Sequence, residues 1–333
     1  MVLNRVDKAE NSPLQLQEAE DPSPGRGEVL LETISTGICR SNLHMIEGDW
    51  LKYGSPAKLP IVPGHEAIGR IIDVGEGVQI KRGTVVGVQP LWSSCGRCSN
   101  CLSGNDNLCS HGEVTGETVN GTWSDRILAR EAHVYPIPDF IDPVTSAPLF
   151  CPGVTAFRAV ERASLAPGLN VGVVGVGGVG HIALQIAARL GVNVWAITTS
   201  EKGERIAKEV GIDNVVNAGV DYTSENSLRK SLDRVIVFAP DQRAINFALS
   251  TLKKRGRMVL GVYGNVEGLD FTRENEIVGS VIGSSSDIYK MFSFLMKNPV
   301  KIKTKIYRLG ELNNAILDLK NRRIEGRGIV TFQ

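Results

Sequence analysis

The chain has 333 residues, 42% of them apolar, and its 37 Lys and Arg side chains almost balance 36 Asp and Glu side chains. The length predicts two domains or one large one, and the lack of any run near ~18 apolar residues excludes a membrane-spanning helix. With so little net charge, the chain has no field that would attract nucleic acid or an anionic membrane, so we expect small-molecule partners. The first thirty residues contain no basic start leading into an apolar stretch, so we expect no secretory signal and a cytoplasmic location, where disulfides are disfavoured.

The first half of the chain is rich in β-forming residues that glycine and proline interrupt. Residues 28–39 (EVLLETISTGIC), 67–78 (AIGRIIDVGEGV) and 83–91 (GTVVGVQPL) have this character. They predict an irregular, mostly antiparallel β domain.

After residue 152 the pattern changes to alternating strands and helices. The segment LNVGVVGVGGVG predicts a buried strand and a glycine turn, and apolar residues from 183 to 190 then recur at helical spacing until Gly191 ends the helix. Further strands are predicted at VNVWAIT, DNVVN, RVIVFAP, RMVLGV and SVIGS, with helical segments between most of them. This alternation is typical of a doubly wound parallel sheet, so the fold class is α/β. The closing residues 312–332 predict a helix and a strand that could return to the first domain.

The glycine turn has the spacing G-x-G-x-x-G between a predicted strand and a predicted helix. There the backbone can turn tightly and approach a pyrophosphate at the helix N-terminus, which indicates dinucleotide binding; a plain glycine turn is the alternative. His181 follows the turn and is expected to be only a first-turn helix residue. The predicted cofactor-binding residues of the turn are Gly175, Gly177, Gly178, Val179 and Gly180.

Four of the six cysteines, Cys95, Cys98, Cys101 and Cys109, lie within fifteen residues. Spacings of three along a loop let thiolates converge on one tetrahedral ion, so we predict a structural zinc. An iron–sulfur cluster or disulfides are the alternatives, but seven residues separate Cys101 from Cys109, more than in a bacterial iron–sulfur run. Four thiolates leave no open coordination position, so this site would hold a loop and catalyse nothing.

The other two cysteines, Cys39 and Cys151, flank the sequence PGHE that contains His65. Two thiolates and one imidazole form a zinc site that keeps a fourth position open for water or substrate. Two buried cysteines and a core histidine are an equally good interpretation of the spacing alone.

Five segments together resemble a known family. GICRSNLH, PGHEAIGRIIDVGEGV, CGRCSNCLSGNDNLC, LFCPGVTAF and GVGGVG occur in the order and spacing typical of zinc-containing medium-chain alcohol dehydrogenases, and the details are most similar to the NADP-preferring, cinnamyl-alcohol-dehydrogenase-like branch. The resemblance implies a GroES-like catalytic domain at 1–152 and 286–333, a central Rossmann cofactor-binding domain at 153–285, and a homodimer or homotetramer. It also implies the transfer of a hydride between NADP(H) and a small alcohol or aldehyde.

The resemblance implies a role for individual residues as well. Cys39, His65 and Cys151 would hold a catalytic zinc, a Lewis acid that stabilises an alkoxide, with Glu66 beside it as an occasional alternative ligand. Four further positions match residues that contact the substrate or cofactor in the family: Ser41 for the substrate hydroxyl, His44 for the end of a proton relay through the cofactor ribose, Arg40 for the pyrophosphate and Thr155 for the nicotinamide. An exposed polar residue is the alternative for His44.

One position departs from the family pattern. Asn42 stands where an aspartate usually accepts a hydrogen bond from the zinc-bound histidine. An amide oxygen can still orient His65 but lacks the negative charge that strengthens the imidazole as a ligand, so we expect weaker zinc binding. His111 and His133 match no family role and are predicted to lie on the surface.

The cofactor preference depends on the end of the second Rossmann strand. NAD-binding proteins need a carboxylate there for the ribose 2′-hydroxyl, whereas this chain has Thr198, Thr199 and Ser200. Hydroxyls can donate to a 2′-phosphate, and Lys202 with Arg205 could neutralise its charge, so we predict NADP. NAD is the alternative, because Glu201 could bond the ribose.

The substrate prediction depends on three tryptophans. Trp50, Trp92 and Trp123 fall where the family places substrate-channel residues, and their rings would form an apolar slot for primary aromatic or medium-chain alcohols and aldehydes. Core packing is the alternative for these rings. The alternative functions are an NAD-dependent dehydrogenase of secondary alcohols or polyols, a zinc-free quinone or enoyl reductase, and a zinc-ribbon interaction protein.

Overall fold

The computed structural model describes residues 1–219, 222 and 227–332 of the chain. The chain divides into two units, the first formed by Met1–Cys151, Ser284–Phe292 and the residues from Lys303 onwards, the second by Pro152–Gly283 and Ser293–Ile302. The sequence-based division placed all of 286–333 in the first domain, whereas residues 293–302 group with the second unit. Among the described residues, no helix combines the length and the apolar character that crossing a membrane requires.

The strands of the described chain are numbered in chain order. They are β1 Val2–Leu3, β2 Leu14–Gln15, β3 Glu28–Ile38, β4 Ala67–Val74, β5 Val85–Val88, β6 Leu91–Ser93, β7 Glu113–Val114, β8 Arg126–Arg130, β9 Val134–Pro136, β10 Asn170–Val174, β11 Asn193–Thr198, β12 Val215–Asn217, β13 Leu232–Val237, β14 Leu252–Leu260, β15 Glu276–Gly279, β16 Thr304–Tyr307 and β17 Arg327–Thr331. The α-helices are α1 Arg40–Ile46, α2 Ser99–Leu102, α3 Pro152–Arg162, α4 Gly180–Ala188, α5 Glu201–Glu209, α6 Gln242–Thr251, α7 Ser285–Leu295 and α8 Leu312–Lys320.

The first unit is built on a sheet with the order β16-β17-β3-β4-β5-β9, in which β8 also pairs with β3. All of its pairs are antiparallel except β16 with β17. The long strand β3 pairs with β4 through Thr36 and Ala67 near one end and with β17 through Ile38 and Gly328. Because β3 and β4 run in opposite directions, the residues just after β3 lie beside those just before β4.

The second unit contains a parallel sheet with the order β12-β11-β10-β13-β14-β15. The order reverses at β10, where the first strand lies between the second and the fourth, and this reversal is typical of a Rossmann fold. Strand β10 is apolar and almost wholly buried, as expected for a strand covered on both faces. The predicted α/β fold class, with a β-rich domain and a doubly wound parallel sheet, is confirmed.

Two predicted elements differ in position. The segment SVIGS is not a strand; the last parallel strand, β15, ends at Gly279 immediately before it. The chain leaves the sheet there, because Ile282 has a positive φ of 38° and Val281 is 52% exposed. The helix predicted at AINFALSTLKK ends at Thr251, since the residues from Leu252 onwards belong to β14.

Candidate active site and metal sites

Cys39, His65 and Cys151 meet in the first unit, with their ligand atoms within 4.8 Å of one another. Cys39 follows β3 and precedes α1, and His65 lies just before β4, so the antiparallel pairing of the two strands brings them together. Cys151 follows the 3-10 turn Ala147–Phe150. The Phe150 ring occupies the space above Gly87 of β5, where a Cβ would lie 1.8 Å from it, so a glycine is needed to seat this turn.

The donor set of this cluster fits a metal ion. His65 is buried, and its Nε2 has no hydrogen-bond partner among the described residues. A buried polar atom without a partner is costly unless a ligand satisfies it. The two sulfur atoms lie 3.8 Å apart, and the hydrogen bond between them lowers the pKa of Cys39 well below its usual range and raises that of Cys151. Two sulfur ligands and one imidazole nitrogen suit zinc and leave a fourth position for a substrate.

Arg327 is a component of the site that the sequence did not reveal. Its guanidinium donates to both carboxylate oxygens of Glu66 at 2.9 and 3.0 Å and lies 3.7 Å from the sulfur of Cys151. Burial alone would lower the pKa of Arg327, but the adjacent Cys39 and Glu66 anions raise it well above its usual range. Both oxygens of Glu66, the predicted alternative ligand, are therefore bound to Arg327.

Helix α1 carries the predicted proton relay. The hydroxyl of Ser41 is buried and has no hydrogen-bond partner within the described part of the chain. His44 Nδ1 lies 2.8 Å from Asp49 Oδ2, and the His44 ring stacks on Trp50 with 5.6 Å between centroids. In a neutral His44, Nδ1–H would donate to Asp49, and Nε2 would be the nitrogen without a hydrogen.

Cys95, Cys98, Cys101 and Cys109 form a second cluster, again with their sulfur atoms within 4.8 Å of one another. The closest hydrogen-bonded sulfur pair, Cys98 and Cys101, is 3.4 Å apart, far beyond a disulfide bond of ~2.05 Å. Backbone N–H groups of Arg97 and Cys98 lower the pKa of Cys95 to about 6, so this sulfur is a thiolate near neutral pH. Burial raises the pKa of Cys101 to about 11, so it is the convergence of the four sulfur atoms that suits a metal ion binding four thiolates.

A hydrogen-bonded chain joins this loop to the start of α7. The carboxylate of Asp106, between the third and fourth cysteines, accepts the backbone N–H of Ser285 at 2.9 Å. The Ser285 hydroxyl also bonds Asp106 and lies 2.9 Å from the hydroxyl of Tyr135, which accepts from Gln89 at 2.6 Å. The loop thus anchors the first residue of α7, which belongs to the same unit, and no local sequence signal indicated this contact.

The glycine turn of the second unit connects β10 to α4. Gly175 has a φ of 96°, and a Cβ on Gly180 would lie 1.9 Å from the Gly175 carbonyl, so both positions require glycine. His181 lies in the first turn of α4, as predicted, with Nδ1 2.8 Å from the Gly177 carbonyl. The turn has the close backbone approach that a pyrophosphate site needs.

The residues after β11 differ in accessibility. Thr198 is buried, and its hydroxyl accepts the N–H of Ser200 at 3.3 Å. Ser200 is exposed and caps α5 by accepting the N–H of Gly203. Thr199 and Lys202 are partly buried, and Glu201 is exposed at the first position of α5.

The two remaining predicted cofactor residues lie on helices. Thr155 lies in α3 and is partly buried. Burial and the nearby Arg322 cation lower the pKa of Arg40. This positive charge at Arg40 and Arg322 would favour a bound anion.

Comparison with known proteins decides the family. The model of the alcohol dehydrogenase GroES-like domain matches residues 25–139, and that of the zinc-binding dehydrogenase domain matches residues 178–297. An alcohol dehydrogenase of Geobacillus stearothermophilus is 33% identical over 100% of this chain and 98% of its own length, and one of Moraxella sp. is 34% identical over 96% of each chain. The chain belongs to the zinc-containing medium-chain alcohol dehydrogenase family. The predicted membership of this family is therefore confirmed.

Solved structures agree with this assignment. The cinnamyl alcohol dehydrogenase of Sorghum bicolor has a TM-score of 0.87 and 27% identity over 98% of this chain and 96% of its own. The alcohol dehydrogenase of Aeropyrum pernix has a TM-score of 0.88 and 26% identity, and the match covers 99% of this chain and 98% of that one. The acetophenone reductase of Geotrichum candidum, solved in complex with NAD, has a TM-score of 0.86 and 26% identity, and the match covers 98% of this chain and 96% of that one.

The three tryptophans of this alcohol dehydrogenase occupy different environments. Trp123 is fully buried in the core, and its indole N–H donates to the Gly37 carbonyl at 3.1 Å, as the core-packing alternative expects. Trp92 is nearly buried under the guanidinium of Arg130, which lies 4.6 Å from the ring centroid. Trp50 is partly exposed, and its ring stacks on that of His44.

One histidine was placed wrongly from the sequence. His133, predicted to lie on the surface, is buried; its Nε2 lies 3.3 Å from the hydroxyl of Ser94, and burial lowers its pKa. It packs next to the four-cysteine loop, so local sequence character did not reveal its burial. His111 is exposed, as predicted.

Proposed function

We propose that this alcohol dehydrogenase interconverts primary aromatic or medium-chain alcohols and the corresponding aldehydes, with NADP(H) as the hydride carrier. Two zinc ions would be bound, a catalytic one at Cys39, His65 and Cys151 and a structural one in the four-cysteine loop. The observation that carries the proposal is the three-ligand cluster with its unpartnered His65 Nε2, which suits a zinc that keeps a position open.

When bound, zinc stabilises an alkoxide and the nicotinamide exchanges a hydride. The residues of this chain manage the proton that the hydroxyl loses. Ser41 offers a buried, unpartnered hydroxyl oxygen on α1, which would accept the proton from the substrate hydroxyl. His44 lies one helical turn further along, with its Nδ1 bonded to Asp49, so its Nε2 would pass the proton towards water.

The preference for NADP is supported by the residues that follow β11. No carboxylate stands at 198–200 to bond a ribose 2′-hydroxyl or repel a 2′-phosphate. The exposed Ser200 offers a hydroxyl, and Lys202 with Arg205 adds positive charge on α5.

We expect the wild-type enzyme to favour NADPH over NADH at least tenfold in kcat/KM on one aldehyde, which is ~1.4 kcal/mol in transition-state binding. Thr198→Asp should shift the preference towards NADH, because its carboxylate would repel the 2′-phosphate. Thr198→Ser, which keeps the hydroxyl, should retain the wild-type preference. A wild-type preference for NADH would contradict the cofactor proposal and leave the zinc proposal untouched.

The substrate class is tested with the same assay across substrates. We expect higher kcat/KM for benzyl alcohol than for sorbitol, because a partly exposed indole beside the relay histidine favours an apolar, flat substrate. The similarity to an acetophenone reductase in complex with NAD favours a second candidate, the reduction of aryl ketones with NADH. A higher kcat/KM for acetophenone with NADH than for benzaldehyde with NADPH would select that candidate.

A further inference from the structure

The side-chain amide of Asn42 lies between the backbone N–H of Cys39 and Nδ1 of His65. Asn42 is 1% exposed at the third position of α1. Its side-chain oxygen accepts the backbone N–H of Cys39 at 3.1 Å, and its nitrogen lies 3.5 Å from Nδ1 of His65. One amide therefore contacts both the residue that caps its own helix and a histidine from another segment.

A metal ion at this site would use Nε2 of His65, because that atom has no partner among the described residues. A neutral imidazole that gives its Nε2 lone pair to a metal carries its hydrogen on Nδ1. This Nδ1–H then faces the amide of Asn42 as a donor. In the loaded site, both groups beside Asn42 would thus need an acceptor.

Rotating the Asn42 amide by half a turn, which exchanges its oxygen and nitrogen, does not provide an acceptor for both donors. With the oxygen towards His65, the amide nitrogen would face the N–H of Cys39, again one donor against another. An asparagine has only one acceptor oxygen, whereas an aspartate has two. One buried donor is thus left unpaired in either orientation, and such a donor costs free energy.

The helix geometry opposes the rotation. Cys39 and Asn42 form a capping box, in which the Cys39 sulfur accepts the backbone N–H of Asn42 and the Asn42 side chain accepts the backbone N–H of Cys39. Rotating the amide would break the second of these bonds at the start of α1. The arrangement therefore keeps the amide nitrogen towards His65.

We propose that Asn42 is a positioning residue that makes the catalytic metal exchangeable, because it favours the histidine tautomer that cannot bind the metal. With the hydrogen on Nε2, Nδ1 of His65 accepts from the Asn42 nitrogen, so both contacts of the Asn42 amide are paired. Metal binding requires the other tautomer and leaves one donor unpaired. This inference rests on the proposed function, since it takes Cys39, His65 and Cys151 as the metal ligands.

The test is a chelator competition on the purified, zinc-loaded enzyme. The zinc ion that wild type retains and Cys151→Ser does not is the one bound at the catalytic site. Asn42→Asp should lower the Kd of that zinc by roughly 10- to 100-fold, the usual effect of an outer-shell partner. The control Asn193→Asp adds the same charge at an exposed position of the second unit and should leave this Kd unchanged.

If the Kd of Asn42→Asp is higher than that of wild type or within twofold of it, the inference about Asn42 is wrong, although the metal site itself still stands. If Cys151→Ser retains as much zinc as wild type, both the inference and the proposed catalytic metal site are wrong. A second measurement needs no variant: nitrogen-15 NMR of the wild-type protein after removal of the catalytic zinc. Hydrogen on Nε2 of His65 supports the proposal, and hydrogen on Nδ1 contradicts it.

Discussion

Replacing Cys151 with serine should lower kcat/KM for alcohol oxidation about a thousandfold or more. The change removes a thiolate from the three-ligand cluster and puts in its place a hydroxyl that is not ionised at neutral pH. Loss of the Lewis acid removes several kcal/mol of charge stabilisation, and ~4 kcal/mol corresponds to roughly a factor of a thousand. Steady-state kinetics with one alcohol, together with zinc analysis of the same preparation, measures both effects.

Cys98→Ser is the matched control for this variant. It makes the same chemical change in the four-cysteine loop, whose sulfur atoms lie in a separate cluster. This variant should lose one zinc and fall in thermal stability, because a structural metal contributes folding free energy directly. It should keep most of its kcat at a temperature where it stays folded. A Cys151→Ser enzyme with wild-type activity would contradict the assigned catalytic metal ligands.

Replacing Arg327 with glutamine should destabilise the protein by ~3–5 kcal/mol, the usual cost of removing one partner from a buried ion pair. Glu66 has no exposed surface, and both of its oxygens accept hydrogen bonds from Arg327. Glutamine leaves the carboxylate buried without a counter-charge. Urea unfolding should show a lower midpoint with an unchanged slope.

The control for this variant is Arg323→Gln. The Arg323 side chain is 65% exposed, and its nitrogen lies 3.8 Å from the nearest carboxylate oxygen, that of Asp318. Surface pairs of this kind contribute ~0–1 kcal/mol, so the control should stay close to wild type. Adding Glu66→Gln to Arg327→Gln should restore part of the loss, because no unpaired charge then remains. Equal stabilities of Arg327→Gln and Arg323→Gln would contradict the role assigned to this ion pair.

Much of the fold could be predicted from short stretches of sequence, because burial of a strand and a tight glycine turn each depend on neighbouring residues. The parallel strands are short apolar runs, and the glycine turn has a spacing typical of close backbone approach. The wrong prediction of a strand at SVIGS also comes from reliance on local pattern. A run of apolar residues indicates burial but does not show which residues pair with a neighbouring strand. The last parallel strand ends at Gly279, before that run begins.

The candidate site was predictable in its metal ligands and not in their surroundings. The two clusters of thiol and imidazole groups are chemically conspicuous in a chain with six cysteines. Arg327 lies 261 residues from Glu66 in the sequence. The two side chains meet only because β17, which begins at Arg327, pairs with β3. The orientation of the Asn42 amide depends on Cys39 and His65 together, so no single segment could indicate it.

The most direct test of the proposed catalytic zinc is the relation between bound zinc and activity in one preparation. We expect two zinc ions per chain in the purified wild-type enzyme. Stepwise removal with a chelator should abolish alcohol oxidation when the first zinc per chain is lost, and added zinc should restore it, while the second zinc and the folded state persist. Full activity in protein that retains only the loop zinc would contradict the account.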